Sequence, residues 1–211
     1  MRKISITGAA LALSVAAMCQ PAAASVLYDN GPIDGTVNAL FVDNGQAIGD
    51  TFTLSSAATV TGVTFGAWTA SGQAITGIDW GITNAYGVVA YNATAAVTDG
   101  PVLFTNGYGY DISTDSFSAG GLSLSAGSYY LWLQNATGTN AAAWDVNNGP
   151  SASYFAEGGT FYGSTGYGSE AFQILGGAGV PEPATWTMML LGVGCIGGAQ
   201  RSRRGTVAAT V

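Results

Sequence analysis

Apolar and polar residues alternate with a period of two along most of the chain between its two ends. In the segment Asp50–Ser55, Phe52 and Leu54 face one way, and the residues between them face the other. The same alternation recurs in the segments 60–67, 78–82, 122–125, 129–133 and 171–175. Alternate residues of a strand point to opposite faces of a sheet, so each segment predicts a β-strand. A change of parity at Gly62 predicts a β-bulge there.

Turn signals separate the predicted strands. They are short groups of Asn, Asp, Gly and Pro at positions 30–31, 34–35, 44–45, 99–101 and 148–150. No window of ten or more residues between the two ends has helical spacing. The pattern therefore predicts an all-β fold, an antiparallel β-sandwich of the jelly-roll type. The segment Glu157–Ser169 is rich in Gly, Tyr and Ser and is expected to be a long loop.

The N-terminal segment has the organisation of a signal peptide. Arg2 and Lys3 precede an apolar run that continues to Met18. Ala22 and Ala24 then fit an A-x-A cleavage site. Cleavage by signal peptidase after Ala24 leaves Ser25 as the first residue of the mature protein.

The C-terminal segment combines three parts in a fixed order. The parts are Pro181-Glu182-Pro183, then an uncharged stretch at 184–200 that has Trp186 near its start, then Arg201, Arg203 and Arg204. Seventeen uncharged residues are at the short end of the length that spans a bilayer as a helix. The positive-inside rule places the Arg cluster in the cytoplasm, so the body of the protein lies on the other side.

This order of parts resembles the PEP-CTERM sorting signal of Gram-negative bacteria. The resemblance covers about the last thirty residues, and the extension Gly205–Val211 departs from it. It implies that an exosortase, a membrane protease-transpeptidase, recognises and removes the tail. It also implies an association with exopolysaccharide and biofilm production. The alternative is a plain C-terminal membrane anchor.

Together the two ends predict export across the inner membrane and transient anchoring by the C-terminal helix. The mature protein is then expected at the cell surface or in the extracellular matrix. The predicted divisions are a signal peptide at 1–24, a β-sandwich ectodomain at 25–176, a linker with the Pro-Glu-Pro motif at 177–183, a transmembrane helix at 184–200 and an Arg-rich cytoplasmic tail at 201–211.

The body has acidic residues and no basic ones. The segment Ser25–Val180 contains no Lys, Arg, His or Cys, and it contains all of the chain's twelve acidic residues except Glu182. Nucleic acid is excluded as a partner because binding it requires Lys and Arg to neutralise phosphates. A disulfide is excluded because the segment has no Cys, and the absence of both His and Cys argues against a zinc site.

The same composition argues against catalysis and against a resident cofactor. Nucleophilic and His-based acid–base arrangements are unavailable, which leaves a carboxylate pair as in glycoside hydrolysis. Glu157 and Glu170 are candidates, but neither lies in a diagnostic motif. Most Asp residues fall in turn signals, where they are expected to be solvated. We therefore predict a non-enzymatic protein, and a carboxylate-only glycosidase is the less favoured alternative.

Calcium is the one metal for which the sequence offers ligands. Asp111, Ser113 and Asp115 form a D-x-S-x-D run similar to the start of an EF-hand loop. Ser116 and Leu122 stand where that loop needs Gly and Glu, so the run is not an EF-hand. Four further acids could supply oxygens: Asp29, Asp34, Asp43 and Asp50. The alternative is that all of them are ordinary solvated turn residues.

Aromatic residues make a carbohydrate-binding module, with or without calcium, the second hypothesis for function. Candidates for stacking on sugar rings are Trp68, Trp80, Trp132, Trp144, Tyr108, Tyr110, Tyr162 and Tyr167. Trp80 and Trp132 lie in predicted strands, so one or both are expected in the core. Tyr162 and Tyr167 lie in the predicted loop and are expected to be more exposed. Ordinary core or surface packing is the alternative for the whole group.

Overall fold

The computed structural model describes residues 24–36 and 38–177, and these residues form fourteen β-strands and no helix. The strands are β1 (Ser25–Asp29), β2 (Asn38–Phe41), β3 (Gln46–Leu54), β4 (Ala58–Ala70), β5 (Gly77–Thr83), β6 (Ala93–Thr98), β7 (Val102–Thr105), β8 (Tyr110–Leu124), β9 (Gly127–Thr137), β10 (Ala142–Asn147), β11 (Ser153–Glu157), β12 (Thr160–Ser164), β13 (Ser169–Glu170) and β14 (Phe172–Gly177). The predicted all-β class is confirmed.

The strands pair antiparallel into one large sheet. Its order is β1-β14-β4-β8-β6-β5-β9-β3-β11-β12. β10 pairs with β2, β4 and β13, and β7 pairs with β8. β6 joins the two halves because it pairs with β5 on one side and with β8 on the other. The predicted antiparallel pairing is confirmed, and the jelly-roll connectivity stays a prediction.

The two halves of the sheet enclose a common apolar core. The centroids of the Phe52 and Phe172 rings lie 6.4 Å apart in an edge-on contact. Trp80 and Phe117 make a second contact between the halves, with centroids 5.5 Å apart. The residues that the alternation placed on a common face, Phe52 with Leu54 among them, are buried in this core. Burial of their apolar surface is the main source of stability, since no ion pair is possible among the described residues.

The predicted bulge is present in β4. The pairing register shifts between Val60 and Gly62 against both neighbouring strands, β8 and β14. On the β8 side, Gly120 and Gly121 both adopt positive φ angles, of 67° and 85°. Since Gly reaches these angles without steric cost, the pair allows β8 to accommodate the shift.

The segment 157–169 is not a long loop, and that prediction was wrong. β11 and β12 form a hairpin in which Glu157 pairs with Thr160. The two residues between them, Gly158 and Gly159, have φ angles of 56° and 79°. Positive φ at both central residues is what a two-residue type I′ hairpin turn requires, and Gly-Gly satisfies it.

A smaller aromatic cluster covers the outer face of one half of the sheet. Trp132 is buried there with Ala47 and Ala156, and Phe161 packs edge-on against it at 6.3 Å. Gly49 lies directly below the indole, where a Cβ atom would come within 2.7 Å of the ring. A side chain at position 49 would therefore displace Trp132. Trp132 is buried as predicted, although on the face opposite the main core.

Both predicted membrane segments lie almost entirely outside the described residues. This applies to Ala22, to the span 184–200 and to the Arg cluster. Within 24–36 and 38–177, the structure contains no helix of the length and apolarity needed to cross a membrane. Ala24 is exposed, and Ser25 begins β1, where it pairs with Gly176 of β14. Cleavage after Ala24 would therefore leave β1 intact.

Candidate functional site

More than half of the acidic side chains in the described residues are buried. The expectation of solvated turn residues was wrong for Asp43, Asp50, Asp111 and Asp115. The buried acids are Asp43, Asp50, Asp111, Asp115, Asp145 and Glu170. Burial of a charge is costly unless a partner compensates it. Because the described residues hold no Lys, Arg or His, hydrogen bonds are the only compensation that the protein itself offers.

The most deeply buried pair of acids lies between the two halves of the sheet. Asp50 of β3 accepts hydrogen bonds from the backbone N–H groups of Thr51 and Glu170, and from Asn30 Nδ2 at 3.3 Å. Asn30 Nδ2 also donates to the backbone oxygen of Glu170 at 2.7 Å. The two carboxyl oxygens of Glu170 have no hydrogen-bond partner among the described residues.

This environment favours the neutral form of both acids. Burial raises the pKa of Asp50 to about 7, although its hydrogen bonds oppose the shift. Burial raises the pKa of Glu170 well above its usual range, and the nearby charges of Asp50 and Asp145 raise it further. A carboxyl that is neutral at physiological pH loses far less by desolvation than a carboxylate.

Asp145 of β10 has a different role because its oxygens are fully engaged. It accepts hydrogen bonds from Trp68 Nε1 at 2.6 Å and from the backbone N–H groups of Asp34 and Gly35 at 2.7 and 2.8 Å. Burial still raises its pKa, and these three hydrogen bonds lower it in part. Asp145 thus fixes the loop before β2 and the orientation of the Trp68 indole.

The D-x-S-x-D run lies on β8, but its two Asp side chains have different partners. Asp111 accepts hydrogen bonds from Gly72 N at 2.8 Å and from Thr105 Oγ1 at 2.6 Å. Asp115 Oδ1 accepts from Ser113 Oγ at 2.7 Å, while its Oδ2 has no partner among the described residues. No group of three or more His, Cys, Asp or Glu residues in the described part of the chain is arranged to hold a metal ion.

The structure does not bring Glu157 and Glu170 together. Glu157 is exposed at the turn of the β11–β12 hairpin, where it pairs with Gln46. Glu170 is fully buried beside Asp50, which pairs with Ser153 at the other end of β11. The carboxyls therefore lie at opposite ends of one strand, and no substrate contact with Glu170 is possible without opening the core.

The four Trp residues of the body are buried, which removes Trp80, Trp132 and Trp144 from the sugar-stacking candidates. Trp144 is fully buried, and its Nε1 donates to Ala171 O at 2.9 Å. Trp68 is 5% exposed at the base of a cleft of about 190 Å³. The cleft is also lined by Phe41, Tyr108 and Tyr110. Tyr108 is 72% exposed and stacks on Trp68, with ring centroids 6.3 Å apart.

The two Tyr residues that were predicted to be exposed are exposed. Tyr162 lies on β12 and Tyr167 lies beyond it, and their exposed fractions are 64% and 55%. Neither lines a cleft with Trp68. The sequence did not reveal the cleft, because Phe41, Trp68 and Tyr108 come from separate strands and loops that only the fold brings together.

The C-terminal segment matches a family model for the PEP-CTERM protein-sorting motif over residues 179–204. The chain carries a PEP-CTERM sorting motif. The match covers the Pro-Glu-Pro triplet, Trp186 and the Arg cluster, which lie outside the described residues. A comparison with curated proteins finds none that matches this chain.

The PEP-CTERM motif confirms the resemblance on which the sequence analysis relied. A PEP-CTERM motif marks an exported protein that is processed by an exosortase, an enzyme of the membrane. It implies transient anchoring in the membrane before display at the cell surface. The motif indicates the destination of the protein. It gives no information about the function of the β domain, which has to be inferred from the residues of that domain.

Proposed function

We propose that this PEP-CTERM protein is a non-enzymatic component of the cell surface or extracellular matrix, associated with exopolysaccharide. The observation that carries the proposal is the PEP-CTERM match at 179–204. Signal peptidase would remove the N-terminal segment after Ala24. Exosortase would then act at the C-terminal segment and release the β domain from the membrane.

The chemistry of the β domain supports the absence of catalysis in this proposal. The described residues contain no His, Cys, Lys or Arg. The buried acids accept hydrogen bonds or lie enclosed in the core, as Glu170 does. A general acid or base must reach the substrate proton, which a fully enclosed carboxyl cannot do.

Substitution of the PEP triplet tests the sorting part of the proposal. In a host that contains exosortase, we expect the wild-type protein to lose its C-terminal tail. The variant Pro181→Ala/Glu182→Ala/Pro183→Ala should keep the tail and stay with the membrane fraction, because the recognition sequence is gone. Intact-mass measurement and cell fractionation give both results. Pro150→Ala, an exposed Pro of the β domain, is the control and should be processed normally.

Two results would contradict this proposal. The first is a wild-type protein that retains Met188–Arg204 in a host with exosortase. The second is a triple variant that is processed at the wild-type rate. The first result would identify the C-terminal segment as a plain membrane anchor. The second would show that removal of the tail does not depend on the Pro-Glu-Pro triplet.

A second candidate function is the binding of a neutral polysaccharide at the cleft of Phe41, Trp68, Tyr108 and Tyr110. The specific observation is the exposed Tyr108 ring above Trp68, whose orientation Asp145 fixes. Aromatic rings of this kind offer apolar faces to sugar rings. The acidic, Lys-free body would repel anionic polysaccharides, which favours a neutral one.

A glycan array with matched Tyr variants tests the second candidate. Tyr108→Ala is expected to weaken binding by at least about tenfold, which corresponds to about 1.4 kcal/mol for one lost stacking contact. Tyr167→Ala removes another exposed Tyr, which lies outside the cleft, and should bind as wild type does. If the folded wild-type protein binds no glycan, or if Tyr108→Ala binds as strongly as Tyr167→Ala, the cleft is not a sugar site.

A further inference from the structure

We propose that Asp99 and Asp115 form a calcium site at the junction of β8 with the loop before β7. The site differs from the D-x-S-x-D run of the sequence because it uses Asp99 in place of Asp111. It goes beyond the proposed surface role, since it gives the β domain a ligand of its own.

The first argument is the unpartnered oxygen of Asp115. The side chain is fully buried, and Ser113 Oγ and the backbone N–H of Gly100 donate to Oδ1 at 2.7 and 3.3 Å. Oδ2 has no hydrogen-bond partner among the described residues. A buried carboxylate oxygen without a partner is costly, and a bound cation would compensate it.

The second argument is the position of Asp99 beside that carboxyl. Asp99 directly precedes Gly100, whose backbone N–H donates to Asp115 Oδ1 at 3.3 Å. Gly100 holds the loop against β8, because a Cβ atom at position 100 would lie 2.0 Å from the backbone oxygen of Thr114. This close approach keeps Asp99 next to Asp115.

The third argument is the choice of counterion. Two neighbouring carboxylates repel each other, and a bound cation offsets that repulsion. No Lys, Arg or His in the described residues can supply the positive charge. Calcium takes six to eight oxygen ligands in flexible geometry and accepts water among them. Asp99 is exposed, so solvent can complete a coordination shell that begins with the two carboxylates.

Asp111 provides an internal comparison for this site. Its carboxyl already accepts hydrogen bonds from Gly72 N and Thr105 Oγ1, which lower its pKa. The Thr105 bond is the larger cause of that shift. Asp111 therefore has its oxygens engaged without a cation, although it lies only four positions from Asp115 on the same strand.

Calcium titration of the full-length protein in detergent, after treatment with a chelator, tests the proposal. Sites of extracellular modules bind calcium with a Kd of about 0.1–1 mM, and we expect that range here. Saturating calcium should raise the Tm by about 4 °C or more, measured by Trp fluorescence. Asp99→Asn and Asp115→Asn should each weaken binding by at least about tenfold, since one charged ligand is lost. Asp111→Asn should bind calcium as wild type does.

Asp99→Asn is the decisive variant because position 99 is exposed, and exposed substitutions change stability little. The proposal is overturned if calcium neither binds nor raises the Tm of the wild-type protein. It is also overturned if Asp99→Asn binds as tightly as wild type. Loss of binding in Asp111→Asn with binding retained in Asp99→Asn would assign calcium to the D-x-S-x-D run instead.

Discussion

Raising the pH from about 4 to about 8 is expected to destabilise the β domain by several kcal/mol. Burial raises the pKa of Asp50 to about 7, whereas an Asp in the unfolded chain has a pKa near 3.9. A shift of about three units corresponds to about 4 kcal/mol for Asp50 alone. Glu170 contributes in the same direction because its pKa is raised well above the usual range.

The direction of the effect follows from which state ionises first. Below about pH 4 both states are protonated at Asp50, and its full contribution to stability is present. As the pH rises, the unfolded chain releases the proton first, so the free energy of unfolding falls until the pH reaches the folded pKa near 7. Asp111 has the opposite effect, but chiefly below about pH 5, because its hydrogen bonds lower its pKa in the folded state.

Urea unfolding in the presence of a chelator, at a series of pH values, measures this prediction. Glu170→Gln is isosteric and cannot ionise, so its curve should be flatter and its stability above pH 7 should exceed that of wild type. Glu157→Gln changes an exposed Glu and serves as the control. A free energy of unfolding that is constant or rises between about pH 4 and 7 would contradict the argument.

Trp144→Ala is expected to lower the free energy of unfolding by about 3–5 kcal/mol. The indole is fully buried and packs edge-on against Phe172 at 5.5 Å. Its removal leaves a cavity in the core and leaves Ala171 O without its donor. Trp144→Phe should keep most of the packing and lose about 1–3 kcal/mol through the unpaired carbonyl.

Chemical unfolding monitored by far-ultraviolet circular dichroism gives both values. Tyr167→Ala, which removes an exposed aromatic side chain, should change the stability by no more than about 0.5 kcal/mol. If Trp144→Ala were as stable as Tyr167→Ala, Trp144 could not be the core residue that the structure describes.

The period-two pattern predicted the fold class because it reports burial directly. Phe52 and Leu54 share a face in the sequence and lie together in the core. The same pattern also indicated a buried acid, because Asp50 lies two positions before Phe52 and therefore on the same face of the strand. That signal was overlooked because Asp was interpreted as a turn residue. The β11–β12 hairpin was missed for a similar reason: its composition is typical of a loop, and the Gly158-Gly159 turn was not recognised.

The candidate sites depended on contacts that no local pattern contains. Asp99 and Asp115 lie sixteen positions apart in the sequence, and the close approach of Gly100 to Thr114 brings them together. Asp111 looked equivalent to Asp115 in the sequence, yet Gly72 and Thr105 engage it. The PEP-CTERM motif is the opposite case. Exosortase recognises a contiguous segment, so the sequence alone was sufficient to find it.

Because β1 pairs with β14, the first strand of the β domain lies beside the segment on which exosortase acts. Ser25 lies opposite Gly176, so the first and last strands of the β domain meet at one corner. Only three residues separate Gly177 from Pro181, and the four steps between these two positions reach at most about 14 Å. The domain must therefore fit beside the enzyme at this corner while it is still attached. Bulk added near Ser25 would obstruct removal of the tail, although the two positions are some 150 residues apart in sequence.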